Sequence, residues 1–181
     1  CAPPPVTVRS DFDALPVCLN FCNTQCDISG IWQNSADNTY DWLVSTGPTA
    51  TFGTGPSADF SGSGNYLYLE ASSQFCAPDK TAYLISDCIR LDKAGTDTCH
   101  FSFAYHMFGD GIGRLRVQAS EDGGFSWTTL WERAGNQGDE WQRAYVGLGD
   151  YADGSVLRLR MVGEEGGGSR GDLAIDELTL H

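Results

Sequence analysis

Four aspartates are the residues of this chain whose type and placement best fit metal chemistry. Asp11 and Asp13 lie at the first predicted strand, Asp59 lies in a Gly/Pro/Ser-rich stretch over residues 45–65, and Asp176 lies in the last predicted strand. First and last strands often neighbour each other in a β-sandwich, and calcium takes about six to eight oxygen ligands. We therefore predict a structural calcium ion held by Asp13, Asp59 and Asp176, with Asp11 as a further ligand.

The stretch over residues 45–65 gives a second reason to expect a bound ion. It has no hydrophobic period, and a loop of that length in a compact domain is usually functional or is ordered by something specific. The alternative is that its acidic residue and the other aspartates are solvated or cap turns, as aspartates in loops commonly do. The sequence leaves both interpretations open.

No arrangement of side chains in the sequence indicates catalysis. His100 and His106 lie on the polar side of one predicted strand, without a serine or cysteine nucleophile motif beside them. Many carboxylate pairs can be drawn, but none has the fold-specific setting that acid–base chemistry requires. We therefore predict that the chain is not an enzyme and has no catalytic or cofactor-binding residue.

Seven cysteines in 181 residues indicate an oxidising compartment, and the odd number leaves one thiol unpaired or paired outside the chain. Cys18, Cys22 and Cys26 lie close together, while Cys76 and Cys88 flank a short predicted strand. We predict at least two disulfides, with each group contributing, and the sequence leaves the connectivity open. The spacing of the first three is not that of a zinc knuckle, so zinc is disfavoured.

The balance of charge excludes several classes of partner. The chain has 24 Asp and Glu against 11 Lys and Arg, a formal net charge of −13. Nucleic acids and anionic lipid surfaces are bound by clustered Lys and Arg, so both are disfavoured. No apolar run approaches the ~20 residues that span a bilayer, so membrane insertion is not predicted. Because the chain begins with Cys1, we expect a processed or excised piece of a larger protein.

Alternation of apolar and polar residues predicts an all-β fold. The run over residues 99–107 places four large side chains on one face of an extended strand: Phe101, Phe103, Tyr105 and Met107. The run over residues 114–120 repeats the alternation, and the glycines of residues 109–113 can supply a reversal between the two runs. We predict that these runs form a central hairpin.

Seven further runs are predicted as strands, two of them (66–70 and 155–162) by clear alternation, and turn-rich clusters separate those that follow the hairpin. They cover residues 6–12, 66–70, 81–86, 128–133, 141–148, 155–162 and 172–180. About nine or ten strands without a repeat or a helical period are typical of a sandwich. We predict one jelly-roll-like sandwich of two antiparallel sheets over residues 7–181, preceded by a linker or N-terminal edge at residues 1–6.

Several short stretches are informative through their order along the chain. They are Asp-Phe-Asp at 11–13, Trp-Gln at 32–33, Asp-Trp at 41–42, Gly-Asn-Tyr-Leu-Tyr-Leu-Glu at 64–70, Ala-Tyr-Leu-Ile-Ser at 82–86, the run 99–109, Leu-Trp at 130–131, and Gly-Asp-Leu-Ala-Ile-Asp-Glu at 171–177. Together they resemble the MAM domain, the extracellular module named for meprin, neuropilin and receptor tyrosine phosphatase mu.

The resemblance implies a jelly-roll of two antiparallel sheets, which agrees with the prediction from periodicity. It also implies a module that supports homophilic or heterophilic association. The family cysteine that follows the last strand is absent here, and pairing of Cys99 with Cys1 is a geometrically allowed substitute.

Two short motifs have both a functional and a structural interpretation. Residues 120–127 match the Asp-box pattern Ser-x-Asp-x-Gly-x-Ser-Trp, and Asp122 can accept hydrogen bonds from turn amides. We therefore predict a well-formed hairpin there rather than a catalytic motif. Residues 170–172 read Arg-Gly-Asp, the integrin-recognition tripeptide, and the sequence does not decide whether it is used.

These observations favour a non-catalytic extracellular binding or adhesion module of a larger secreted or surface protein. The expected partner is an extracellular protein or a glycan, and homophilic association is among the contacts that the resemblance implies. The alternative is a carbohydrate-binding module attached to a secreted glycan- or protein-degrading enzyme. A jelly-roll fold, acidic loops and an Asp box are compatible with both, and fold alone does not choose between them.

Overall fold

The computed structural model describes residues 8–19, 26–72, 80–91 and 99–181. Within these ranges the chain forms strands and no helix, so the predicted all-β class is confirmed. The twelve strands are β1 (Val8–Ser10), β2 (Trp32–Asn34), β3 (Leu43–Thr46), β4 (Asn65–Leu69), β5 (Thr81–Ser86), β6 (Ile89–Arg90), β7 (His100–Met107), β8 (Arg114–Ser120), β9 (Thr128–Ala134), β10 (Gln142–Gly147), β11 (Val156–Glu164) and β12 (Leu173–Leu180).

The strands form two sheets, which we call sheet I and sheet II. Sheet I has the order β10-β7-β12-β4-β3, with β1 also paired to β12. Sheet II has the order β2-β5-β11-β8-β9, with β6 also paired to β11. Every pairing between these strands is antiparallel, so the predicted sandwich of two antiparallel sheets is confirmed. In the described ranges no helix has the length and apolar character needed to cross a membrane.

The core between the sheets is dominated by aromatic side chains of β7. Phe101 of β7 and Trp32 of β2 have ring centroids 5.6 Å apart, and Phe103 meets Trp131 of β9 edge-on at 5.0 Å. Burying an aromatic side chain removes about 150–250 Å² from water, so such pairs contribute much of the attraction between two sheets. The prediction that alternate residues of β7 share one apolar face is confirmed.

The predicted central hairpin between the runs 99–107 and 114–120 is wrong. β7 lies in sheet I between β10 and β12, whereas β8 lies in sheet II between β11 and β9. Residues 108–113 therefore carry the chain between sheets, which pack about 10 Å apart. A Cβ at Gly109, whose φ is 137°, would lie 2.2 Å from the Arg170 carbonyl oxygen, so this crossing requires glycine. Alternation identifies the apolar face of a strand but not its neighbour.

The second face of β7 was predicted to be the polar one, and it is buried. Ser102 and His106 are 1 % and 2 % exposed. Trp141 covers this face, because its ring centroid lies 5.5 Å from that of His106 and its Nε1 donates to the Ala58 carbonyl at 2.9 Å. Part of the long loop before β4 is thus held against sheet I by contacts within the protein.

The strands missed by the sequence analysis are short: β2, β3 and β6 contain two to four residues. β3 occupies the start of the stretch predicted to be loop and pairs with β4, and β2 and β6 contain only three and two residues. A period of two cannot be recognised in so few residues. The irregular segment before β4 therefore begins after Thr46 rather than at Ser45.

The cysteine predictions are tested for only part of the chain. Cys18 and Cys26 form a disulfide with Cα atoms 5.9 Å apart, and Cys88 is also disulfide-bonded. Residues 1–6 and three of the seven cysteines lie outside the described residues: Cys1, Cys22 and Cys76. The predicted contribution of Cys76, and the pairing of Cys99 with Cys1, stay predictions.

Replacing Phe103 with alanine should destabilise the fold by about 3–5 kcal/mol, because a fully buried aromatic is lost and the site cannot collapse completely. Urea unfolding followed by tryptophan fluorescence measures the change. Tyr145→Ala is the matched control, since Tyr145 lies on β10 and is 66 % exposed. Equal losses for the two variants would contradict the placement of the core.

Candidate functional site

The predicted calcium ligands gather where β1 and β4 separate along one edge of β12. β12 pairs with β4 over residues 173–175 and with β1 over residues 178–180. Asp176 and Glu177 lie in the gap, at a register shift against β7, and Glu177 has a φ of 53°. A bulge of this kind bends a strand and redirects its side chains. The gap therefore leaves a place on sheet I for side chains from other segments.

Asp13 and Asp59 converge on Gly64 at this gap. A Cβ at Gly64 would lie 2.0 Å from Asp13 Oδ1 and 3.0 Å from Asp59 Oδ2, so only glycine leaves room for both carboxylates. The Asn65 amide donates to Asp13 Oδ1 at 2.9 Å, while the Ser61 amide and hydroxyl donate to Asp59 Oδ2 at 3.1 and 2.6 Å. Turn hydrogen bonds thus hold both carboxylates in place.

The second carboxylate oxygen of Asp59 is unusual because it is buried without a hydrogen-bond partner among the described residues. Asp59 is 4 % exposed, and its Oδ1 is buried without a hydrogen-bond donor among the described residues. Burying an ionised oxygen without a partner is costly, and each such group requires an explanation. A hard cation beside Asp13 and Asp59 would supply that partner.

Asp176 lies beside this pair but is already hydrogen-bonded. Its Oδ2 accepts from the Phe60 amide at 3.1 Å and its Oδ1 accepts from the Glu177 amide at 2.7 Å. Burial raises the pKa of Asp176 to about 7, against the effect of the two amides, and the charges of Glu177 and Asp59 add to the rise. Asp176 is therefore within the electrostatic field of Asp59.

Asp11 has different contacts from the other predicted ligands. Its Oδ1 accepts from the Asp13 amide at 3.3 Å, and its Oδ2 lies 3.9 Å from Arg9 Nη2. Arg9 also binds Glu177 through two nitrogens, with Nε 2.6 Å from Oε2. These contacts point Asp11 to Arg9 and to the start of the turn rather than to Asp59.

The structure thus brings together part of the predicted ligand set. Asp13 and Asp59 meet at Gly64, Asp176 lies alongside, and Asp11 supports the turn. In the described part of the chain, no three His, Cys, Asp or Glu side chains are already arranged as a metal-holding group. Calcium accordingly stays a prediction, which the orphaned oxygen of Asp59 supports.

A second buried acidic pair, Glu70 and Asp172, was missed by the sequence analysis. These residues are 1 % and 0 % exposed, and the Ala71 amide donates to Asp172 Oδ1 at 2.9 Å. Burial raises the pKa of Asp172 to about 7, and the charge of Glu70 adds to the rise. Lys80, itself 2 % exposed, donates to the Glu70 and Ala71 carbonyls at 3.0 Å each. The alternation of residues did not indicate that this pair is buried, because Asp172 directly follows a glycine-rich segment.

The buried position of Asp172 also bears on whether a receptor can recognise the Arg-Gly-Asp tripeptide of residues 170–172. The Asp172 amide donates to Thr54 Oγ1 at 2.9 Å, and a Cβ at Gly171 would lie 2.4 Å from the Gly111 carbonyl oxygen. Arg170 alone is exposed, 3.7 Å from Asp110. A receptor that reads the tripeptide must reach its carboxylate, and that carboxylate is enclosed. The tripeptide therefore has a structural role, because it packs the segment that leads into β12.

The Asp-box segment is a turn between β8 and β9, as predicted. Asp122 accepts from the Ser120 hydroxyl at 2.7 Å and from the Ser126 amide and hydroxyl at 2.9 and 2.6 Å. The hydrogen bonds from Ser126 and Ser120 hold the pKa of Asp122 far below its usual value. The turn leaves Phe125 95 % exposed at its tip.

Comparison with known proteins identifies the family. The model of the MAM domain, meprin/A5/mu, matches residues 18–181. MAM domain-containing glycosylphosphatidylinositol anchor protein 1 from Gallus gallus is 34 % identical over 165 residues, which cover 84 % of this chain and 16 % of that protein. Thyroid hormone-induced protein B from Xenopus laevis is 32 % identical over 168 residues, covering 92 % and 23 %. The chain belongs to the MAM domain family, and it spans under a quarter of these relatives.

Solved structures share the fold at low sequence identity. The K1 cleaved adhesin domain of Lys-gingipain from Porphyromonas gingivalis W83 has a TM-score of 0.59 at 15 % identity, covering 97 % of this chain and 98 % of that one. TmCBM61, solved in complex with β-1,4-galactotriose, has a TM-score of 0.51 at 14 % identity, covering 83 % and 87 %. These likenesses establish the shared sandwich and nothing about ligands.

Asp172→Asn should stabilise the protein increasingly as pH rises from about 4 to 7. The folded state holds the proton of Asp172 up to about pH 7, whereas the unfolded state loses it near its usual value of 3.8, so this group lowers stability across that interval. Asparagine has no proton to lose and keeps an acceptor for Ala71. Urea unfolding at several pH values measures the difference. A difference that does not change with pH would contradict the assignment, and Asp110→Asn, at an exposed residue, is the control.

Proposed function

We propose that this chain is a non-catalytic extracellular adhesion or binding module of a larger secreted or cell-surface protein. Membership of the MAM family is the observation that supports the proposal. The predicted extracellular or cell-surface location is confirmed by relatives whose names describe glycosylphosphatidylinositol anchor proteins. The partner is an extracellular protein, with a second copy of the domain among the candidates.

The histidines considered for catalysis serve packing instead. His106 is 2 % exposed against Trp141, and burial lowers its pKa although Asp139 lies 3.3 Å from its Nε2. His100 stacks on His181 with ring centroids 4.3 Å apart. A buried, stacked imidazole is poorly placed to take a proton from a substrate.

The proposed calcium ion lies between Asp13 and Asp59, with Asp176 alongside. It would provide a partner for Asp59 Oδ1 and offset the repulsion among Asp59, Asp176 and Glu177. It would also join three segments that are distant in sequence: the turn after β1, the loop before β4 and the bulge of β12. We assign the ion a structural role, because its effect would be to hold these three segments together.

Calcium should raise the melting temperature, and the rise should be larger at pH 8 than at pH 6. A nearby cation favours the ionised form of Asp176, whose pKa is raised to about 7, so the ion competes with a proton at the lower pH. Calcium at 100 times its dissociation constant adds about 2.7 kcal/mol. Thermal melts with calcium and with chelator measure the effect.

The matched variants for this experiment are Asp59→Asn and Asp110→Asn. The first should abolish the calcium-dependent shift, and the second should leave it unchanged because Asp110 is exposed beside Arg170. Equal melting temperatures in calcium and chelator at both pH values would remove the proposal of the ion. The adhesion proposal would survive that result.

The alternative function, a carbohydrate-binding module, is supported only by the fold that the chain shares with TmCBM61. Adhesion predicts that the isolated domain associates with itself or with an extracellular protein, while neutral oligosaccharides do not bind. Sedimentation velocity over a range of concentrations and an array of uncharged glycans separate the two. Saturable binding of an uncharged glycan by a strictly monomeric domain would favour the alternative.

A further inference from the structure

Five arginines lie on the outer face of sheet II, in a chain with only 11 Lys and Arg against 24 acids. They alternate with buried residues of β8 and β11 and therefore point away from the core. Arg160 lies opposite Gln118 and Arg158 opposite Ser120, while Arg90 of β6 lies opposite Val156. We call this surface the arginine face: Arg90, Arg114, Arg116, Arg158 and Arg160.

The arginine face has a neutralised half and a positive half. Arg116 binds Glu164, and Arg114 lies 3.3 Å from Glu132. The remaining three, by contrast, form no ion pair with a carboxylate of the described residues: Arg90, Arg158 and Arg160. In a chain with more than two acids for each base, three neighbouring arginines without a carboxylate partner among the described residues are available to an anion from outside.

Arg160 and Arg158 are held in place before any ligand arrives. The Arg160 guanidinium lies 4.3 Å from the ring centroid of Tyr83 and 4.2 Å from that of Trp127, and its Nε donates to Gln118 Oε1 at 3.0 Å. Arg158 Nε donates to the Ser86 carbonyl at 3.1 Å. A guanidinium that is already ordered loses less entropy when it binds an anion.

An apolar surface flanks the positive half. Phe125 is 95 % exposed at the tip of the Asp-box turn, which Asp122 holds rigid, and the half-buried Trp127 follows it. The Trp127 ring against Arg160, with the exposed Phe125 two residues before it in the turn, suits a ligand with both anionic groups and apolar C–H faces, as a sugar ring has. It suits a bare inorganic anion poorly.

We propose that Arg90, Arg158 and Arg160 bind a sulfated glycan chain. Alternate residues of a strand lie about 6.8 Å apart, so the row presents cations at intervals along β11. Such spacing matches a linear polymer with an anion on successive sugars. The planar fork of arginine, which binds phosphate and carboxylate oxygens in pairs, fits the equally spaced oxygens of sulfate.

A narrow chain fits this surface better than an acidic protein does. Charges separated by more than about 8 Å are largely screened at physiological salt, so a narrow glycan along the row is affected mainly by the charges next to the row. A broad acidic protein surface would also meet the acids on the rest of the domain. The proposed site lies on sheet II, away from Asp59 on sheet I, and it stands whether or not calcium binds.

The test measures binding of the domain to immobilised heparin at low salt. Wild type should bind, and added sodium chloride should weaken the binding because counterions compete for the row. The double variant Arg90→Glu/Arg158→Glu should weaken binding at least about tenfold. Arg133→Glu/Arg143→Glu is the matched control, since it makes the same charge change on β9 and β10, and it should change affinity less than about twofold.

Competition then separates sulfate recognition from charge alone. Desulfated heparin should not compete, and poly-glutamate should compete far less well than heparin does. Failure of wild type to bind heparin, equal losses in the two double variants, or equal competition by poly-glutamate would each overturn the proposal. If the first double variant does not melt cooperatively, Arg158→Gln alone should still lower affinity, and an unchanged affinity there would also overturn it.

Discussion

Hydrogen bonding of β12 on both edges is the constraint on which the rest of the structure depends. All but the last residue of this strand are buried, so its backbone groups must be paired within the protein. β7 supplies partners on one edge, while β4 and then β1 supply them on the other. Because two strands share that edge, a gap lies between them at Asp176 and Glu177, where the pairing of β12 with β7 also shifts register.

The same strand brings two carboxylates into places that water does not reach. Asp172 leads into β12 and lies beside Glu70, while Asp176 lies within β12 and near Asp59. A carboxylate in such a place must keep its proton, gain hydrogen bonds or gain a cation. Asp172 has one amide, a second oxygen without a hydrogen-bond donor among the described residues and a buried neighbour of the same charge, so it favours the proton. Asp176 has two amides, and we propose that a cation satisfies the unpartnered Asp59 oxygen beside it.

The alternation of residues predicted which side chains of a strand face the core. It could not predict which strand pairs with that strand. The inward face of β7 and the bounds of β5 were predicted correctly, because both depend on alternation within one run. Pairing depends on contacts between distant residues, so residues 109–113 looked like a hairpin turn although they cross between sheets. Asp59 was predicted as a ligand from its position in the long loop before β4. The sequence could not show that its Oδ1 is buried without a hydrogen-bond donor among the described residues, because that burial depends on the contacts of Trp141 and Asp176 with the loop.

The outer faces of the two sheets differ, and this difference places the two proposed sites. On sheet I the segment before β4 and Trp141 lie over β7, so even His106 is buried, and buried carboxylates lie at the gap beside β12. On sheet II the outward side chains of β8 and β11 keep partial exposure, and arginines occupy them. A covered face can keep a bound ion away from water, whereas an open face is accessible to a long ligand. We therefore propose structural metal binding at sheet I and recognition of an extended partner at sheet II.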